Sequence, residues 1–216
     1  GSNKLDELVD VYGDFDMPSN FFENVNDLAG TFDQYGKLSS TIRGEIYNYY
    51  KQKKWDKIEA IFKEYKINRG WPPANGGYNI IDDVPITKGM KFDRYQDWFK
   101  LNADGKPKLG GSFTSPVSGT PYTYAQRALR FAETENSLYY EIEILEDLPI
   151  KGQTSDIIPW FGYVGNGKQT MFKFDIPGKG PITSLEDLIK GGFIKVTIKS
   201  SPNGKGSNWV GSVFKK

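Results

Sequence analysis

The sequence predicts an α+β fold, in which a helical N-terminal portion precedes a compact, mostly antiparallel β-sheet core with short helices. Three observations carry that prediction. Apolar residues recur at three-to-four spacing as far as Tyr65, and the stretch from Gly70 to Gly77, GWPPANGG, then stops any helix. Beyond it the apolar pattern changes to a period of two. With 216 residues, 38% hydrophobic and 25% charged, the chain has an ordinary globular composition and the length to bury a core.

Each element has its own signal. A weak helical pattern spans Asn20 to Phe32. Ser39 or Ser40 can cap a helix whose apolar positions are Ile42, Ile46 and Tyr49/Tyr50. A second helix repeats the period through Trp55, Ile58, Ile61/Phe62 and Tyr65, with Lys and Glu on its other face. The break at Gly70 divides the chain into a helical extension, residues 1–69, which serves as linker or scaffold, and a β-rich domain, residues 70–216. Strands are expected at Tyr78–Ile81, Met90–Tyr95, Ser112–Thr114, Leu138–Leu145, Gln169–Ile176 and Phe193–Lys199. Short helices are expected at Pro121–Leu129 and at Ser184–Lys190, the latter capped by Thr183 or Ser184, with Glu186 and Asp187 in its first turn. No internal repeat is present.

Composition excludes several chemistries. The chain has no cysteine and no histidine, which removes thiolate and histidine metal sites, cysteine nucleophiles and Ser-His triads. No metal is therefore expected. The absence of disulfides suits a cytosolic protein and equally a chain exported unfolded. No apolar run approaches the ~20 residues of a membrane span. The net charge is +1, with 9 Lys/Arg against 12 Asp/Glu in residues 1–66 and 19 against 15 in the remainder. So mild a basic bias suits a small anionic ligand and not nucleic acid.

Taken singly, the polar candidates are unspecific. Arg94 beside Asp93 reads as a surface ion pair, Arg127 as a solvated helix face, and Gln169 as an ordinary strand start. Ser115 lies in a glycine-containing turn. The glycines Gly162, Gly165 and Gly167 lack the strand and helix of a dinucleotide fingerprint, and no GxxxxGK[ST] loop exists. Glu141 and Glu143 share one strand face and read as a solvated ladder.

Their order is specific. Gly70-Trp71-Pro72-Pro73-Ala74-Asn75-Gly76-Gly77-Tyr78 is followed by Asp93-Arg94-Tyr95 and by Gly111-Ser112-Phe113-Thr114-Ser115-Pro116. Next come Pro121-Tyr122, Arg127-Ala128-Leu129, Pro159-Trp160-Phe161-Gly162 and Gly165-Asn166-Gly167-Lys168-Gln169. This series, from Trp71 to about Lys199, resembles the tuberculosis necrotizing toxin family. These NAD(P)+ glycohydrolase modules form the C-terminal warheads of bacterial polymorphic toxins and also occur in fungal surface NADases. The resemblance implies a secreted toxin that acts in the cytoplasm of a target cell. It would cleave the nicotinamide–ribose bond of NAD+, in the family often that of NADP+ too, as substrate rather than cofactor. It also implies a cognate immunity protein as partner, with no nucleic acid and no membrane insertion.

By the same resemblance, Gln169, Arg94 and Tyr139 are the expected catalytic residues. Tyr139 falls where one family member carries a functional histidine. Phe113, Ser115, Arg127, Trp160 and Phe161 are the expected substrate-binding residues, with Arg94 and Arg127 engaging the diphosphate. The chain departs from the family pattern in three places. Gln96 stands for a glycine after the Asp-Arg-Tyr word, a charged insertion runs from Asp97 to Leu109, and Tyr163 replaces a glutamine. An ADP-ribosyltransferase and a non-catalytic aromatic-rich binding module are the alternatives; the first generally relies on a glutamate where Gln169 stands.

Overall fold

Ser39 opens the first described helix: its side chain accepts a hydrogen bond from the Ile42 amide at 3.2 Å, so a cap forms where the serine pair predicts one. The computed structural model describes residues 21, 38–97, 99–131, 137–201 and 207–216. The helix expected over Asn20–Phe32 lies outside them, except for Phe21. Helix α1 (Ser40–Lys51) buries Ile46 and Tyr47, and α2 (Trp55–Glu64) buries Ile58 and Phe62. Tyr65 caps α2 and stays exposed rather than extending its apolar face.

Among the described residues eight strands follow, interrupted by two short α-helices. They are β1 (Gly77–Pro85), β2 (Lys91–Gln96), β3 (Phe113–Pro116), β4 (Leu138–Ile144), β5 (Lys151–Ile157), β6 (Lys168–Phe172), β7 (Ile194–Ser200) and β8 (Val213–Phe214). Helix α3 (Tyr124–Arg127) precedes β4, and α4 (Leu185–Lys190) precedes β7. The strands form one sheet of 8, in the order β1-β5-β6-β3-β2-β4-β7-β8, and every pairing is antiparallel. The fold is α+β, as the change of periodicity predicts.

The centre of this sheet positions the site. Within β3, Phe113 and Thr114 pair with Met171 and Thr170 of β6. Continuing that register would set Ser115 against Gln169. Ser115 and Pro116 cross over instead, to Asp93 and Phe92 of β2. The sheet therefore forks at β3, and the ends of β2 and β6 diverge around the opening.

Two apolar cores flank the fork. One gathers Leu138, Tyr140, Ile142 and Ile144 of β4 with Val196 and Ile198 of β7 and with α4. In α4, Leu185, Leu188 and Ile189 are buried, at roughly 1.5–3 kcal/mol each. The other core joins α1 and α2 to Ile157, Ile158 and Trp160 after β5. The two N-terminal helices thus pack on the segment that leads toward Gln169. Among the described residues, no helix is long and apolar enough to cross a membrane.

Candidate active site

Arg94, Phe113 and Gln169 meet at the fork, on three different strands. They line a cleft of about 260 Å³ that narrows to a recess of about 40 Å³ between β2 and β3. Tyr95, Arg127, Leu129 and Ile157 line both parts, while Trp71, Asn75, Asp97, Arg130 and Phe161 line the wider one. A larger groove of about 680 Å³ runs along β1 and β5 with mainly apolar walls, including Ile81, Val84 and Met90. It touches Gln169 but neither arginine, so the chemistry converges on the smaller cleft.

Gln169 is fixed from one side. Its Nε2 donates to the Asn75 carbonyl at 2.9 Å. Asn75 adopts a left-handed conformation (φ 57°), which asparagine tolerates, inside the turn that the GWPPANGG stretch builds. With the amide nitrogen engaged, Oε1 is the atom that remains to accept a hydrogen bond. Gly77 must stay small here, because a Cβ would lie 2.2 Å from Ser155 Oγ and 3.3 Å from Gln169 Nε2.

Arg94 is not the surface ion pair that its neighbour Asp93 suggests. Its Nε donates to the Gly110 carbonyl at 2.8 Å and to Tyr140 Oη at 3.1 Å, and its Nη1 to the Phe113 carbonyl at 2.9 Å. All three acceptors are neutral, and no carboxylate pairs with Arg94 among the described residues. Its hydrogen bonds thus fix the side chain and leave its charge without a neutralising carboxylate among the described residues. The two departures at Gln96 and the insertion explain each other. Gln96 Nε2 donates to the Lys108 carbonyl at 3.0 Å and its Oε1 accepts from the Gly110 amide at 3.0 Å. The Gln96 amide thus latches the returning end of the insertion and sets the Gly110 carbonyl under Arg94.

Arg127, expected to engage the diphosphate, lines the cleft with its donors turned into the protein. Buried at 5% exposure, it forms a bidentate pair with Asp93, Nη1 to Oδ1 at 2.6 Å and Nη2 to Oδ2 at 2.8 Å. Nε and Nη2 also donate to the Tyr122 carbonyl. Its guanidinium lies over the Tyr95 and Tyr139 rings. The fork of donors is closed inside the protein, so Arg127 builds the wall of the cleft.

Tyr139 belongs to the same unit. Its hydroxyl donates to Asp93 Oδ2 at 2.6 Å, and its ring stacks on Tyr95 with centroids 4.5 Å apart. Expected among the catalytic residues, it is not one of those that line the cleft. Burial first, and then the Asp93 carboxylate, push its phenol above the ordinary tyrosine range, so it keeps its proton. Trp160, expected among the substrate-binding residues, is 1% exposed; it packs edge-on to Phe62 and donates its indole N–H to the Gly70 carbonyl at 2.8 Å. Phe161 does line the cleft, in a left-handed conformation (φ 54°) held by its amide donating to Glu59 on α2 at 2.9 Å. Ser115 borders the recess from the strand switch.

Arg130 and Trp71 line the cleft and were not singled out by residue-by-residue reading. The available signal for Arg130 was its place in Arg127-Ala128-Leu129-Arg130, where a short helix ends at Ala128 in the left-handed region and reverses the chain. Glu141 and Glu143 stand near Lys91 (3.9 Å) and Lys195 (3.1 Å), away from the cleft, as a solvated ladder should. Among the described residues no cluster of carboxylates could hold a metal ion.

No curated protein matches the chain. A solved structure of tuberculosis necrotizing toxin, complexed with its immunity factor, aligns over 58% of this chain and 60% of that one, at 22% identity and a TM-score of 0.36. The chain thus spans less than two thirds of that neighbour's length. The tuberculosis necrotizing toxin family profile matches residues 85–196, more than half of the 216 residues, from the end of β1 through β7. The protein belongs to the tuberculosis necrotizing toxin family.

Proposed function

We propose that the cleft hydrolyses the nicotinamide–ribose bond of NAD+, and of NADP+ as well, releasing nicotinamide and ADP-ribose. The observation that carries this reading is the convergence at the fork of an anchored amide, Gln169, a cation without a carboxylate partner, Arg94, and an aromatic wall, Phe113. Membership of a toxin family supports it.

The reaction asks little acid–base chemistry of the protein. The C1′–N bond breaks with its electron pair going to the pyridinium nitrogen, so nicotinamide leaves neutral and takes up no proton. Water adds to C1′, and its proton passes to solvent. The barrier is the positive charge that builds on the ribose. Gln169 Oε1, held by the Nε2–Asn75 bond, can accept from a ribose hydroxyl or from the attacking water and orient it. Arg94, fixed on three neutral acceptors, offers its charge to the diphosphate. Phe113 and Phe161 supply flat faces for the nicotinamide.

In the cell this activity would drain the cofactor pool of a target. Delivery into that cell by secretion and protection of the producer by a cognate immunity protein complete the proposal. A fluorogenic NAD+ analogue incubated with purified protein tests it. Loss of substrate with release of free ADP-ribose is expected. ADP-ribose transferred to protein targets would favour the transferase, and no turnover of NAD+ or NADP+ would leave a binding module.

A further inference from the structure

Arg130 lines the cleft, and among the described residues none accepts a hydrogen bond from its guanidinium. Its guanidinium carbon lies 4.9 Å from the centroid of the Trp71 ring and 5.9 Å from that of Phe161. The two rings meet edge to face, with centroids 5.6 Å apart and planes at 90°. Among the described residues, no carboxylate pairs with Arg130. A cation over an aromatic ring is attracted by the ring's quadrupole and keeps its N–H donors for other partners. The two rings therefore hold the charge of Arg130 in the cleft, whereas the donors of Arg127 close on Asp93 and the Tyr122 carbonyl.

We propose that Arg130, held on Trp71 and Phe161, grips the diphosphate of the dinucleotide substrate opposite Arg94. This assignment rests on the NAD+ reading of the cleft and refines it, moving the second anion contact from Arg127 to Arg130. The charges facing the cleft agree in sign. Arg94 and Arg130 have no carboxylate partner, Asp93 neutralises Arg127, and Asp97 alone opposes the field among the described lining residues. A contact to the non-reacting diphosphate has the same strength in ground and transition states. It acts on KM and leaves kcat alone.

The test measures NAD+ kinetics and ADP-ribose affinity by calorimetry on the wild-type chain, on Arg130→Ala and on Trp71→Leu. ADP-ribose keeps the diphosphate but has no bond to cleave, so its binding reports on the clamp independently of catalysis. Arg130 is exposed, so Arg130→Ala is expected to fold normally, with unchanged circular dichroism. In that variant KM rises about tenfold or more, kcat stays within twofold, and ADP-ribose binds weaker by a similar factor. Trp71→Leu weakens ADP-ribose binding several-fold, and adding Arg130→Ala to it has less effect than in the wild type, because the ring acts through the guanidinium. Unchanged KM and ADP-ribose affinity in Arg130→Ala, with an active wild type, overturn the clamp and leave the NAD+ reading standing. Wild-type protein that binds ADP-ribose through Arg130 without cleaving NAD+ keeps the clamp and removes the hydrolase. Strictly additive effects of Trp71→Leu and Arg130→Ala would also overturn the clamp.

Discussion

Arg127 and Tyr139 both bond to the buried Asp93, and their substitution should report on stability before activity. Asp93 is fully buried, and removing its bidentate partner strands a carboxylate in the protein interior. Arg127→Ala is therefore expected to lower the unfolding free energy by about 3–5 kcal/mol, read as a shift of the urea midpoint at constant m. Tyr139→Phe removes one hydrogen bond to the same carboxylate, for about 1 kcal/mol, and should keep most of the NAD+ turnover because the ring lies outside the cleft. A stable Tyr139→Phe protein without activity would restore the catalytic role that its sequence position suggests. The raised phenol pKa has a defined sign as well. The folded state favours the protonated form, so this contribution is complete below about pH 10 and is lost as pH rises beyond it.

At the scale of elements, the strand switch of β3 carries the site, and Gly111 guards its approach. Gly111 has φ 89°, and a Cβ there would lie 2.0 Å from Arg94 Nη2. Arg94 is tied by three hydrogen bonds, so Gly111→Ala must displace the guanidinium, strain the loop, or both. Its expected signature is a raised KM for NAD+, matching that of Arg94→Ala, with unchanged far-ultraviolet circular dichroism; wild-type kinetics would show that Arg94 takes no part. Most elements were readable because their periodicity is strong: β4 alternates buried and half-exposed positions throughout, and Ser184 caps α4 as predicted. Strand β5, Lys-Gly-Gln-Thr-Ser-Asp-Ile, shows no apolar alternation because three of its four buried positions are glycine, glutamine and serine, whose burial comes from neighbours on both sides. The expected strand from Gln169 to Ile176 ends at Phe172, where the pairing with β5 runs out, and β8 is too short to show a period. Gln169, Arg94 and Phe113 could be named from motif order. The closure of Arg127 on Asp93, the turn of Trp160 into the core and the stacking of Arg130 are decided by tertiary packing, which no local pattern encodes.

The whole molecule presents a β-sheet forked at its centre, with helices α1 and α2 buttressing the segment from Ile157 to Phe161 that closes one side of the cleft. That arrangement positions an amide, an arginine and aromatic rings, and the chain contains no histidine, the side chain whose ordinary pKa lies near neutrality. A flat kcat/KM profile for NAD+ between about pH 6 and 9 follows, and a limb with a midpoint near neutrality would mean that an ionising group takes part. In the proposed reaction the anchored amide of Gln169 carries catalysis at the fork. NAD+ turnover by Gln169→Ala beside the wild type, with folding followed by circular dichroism and thermal midpoint, tests this. An active wild type is expected, with a loss of about 10²–10³-fold or more in kcat for a natively folded variant. A folded Gln169→Ala protein that consumes NAD+ at the wild-type rate would contradict it.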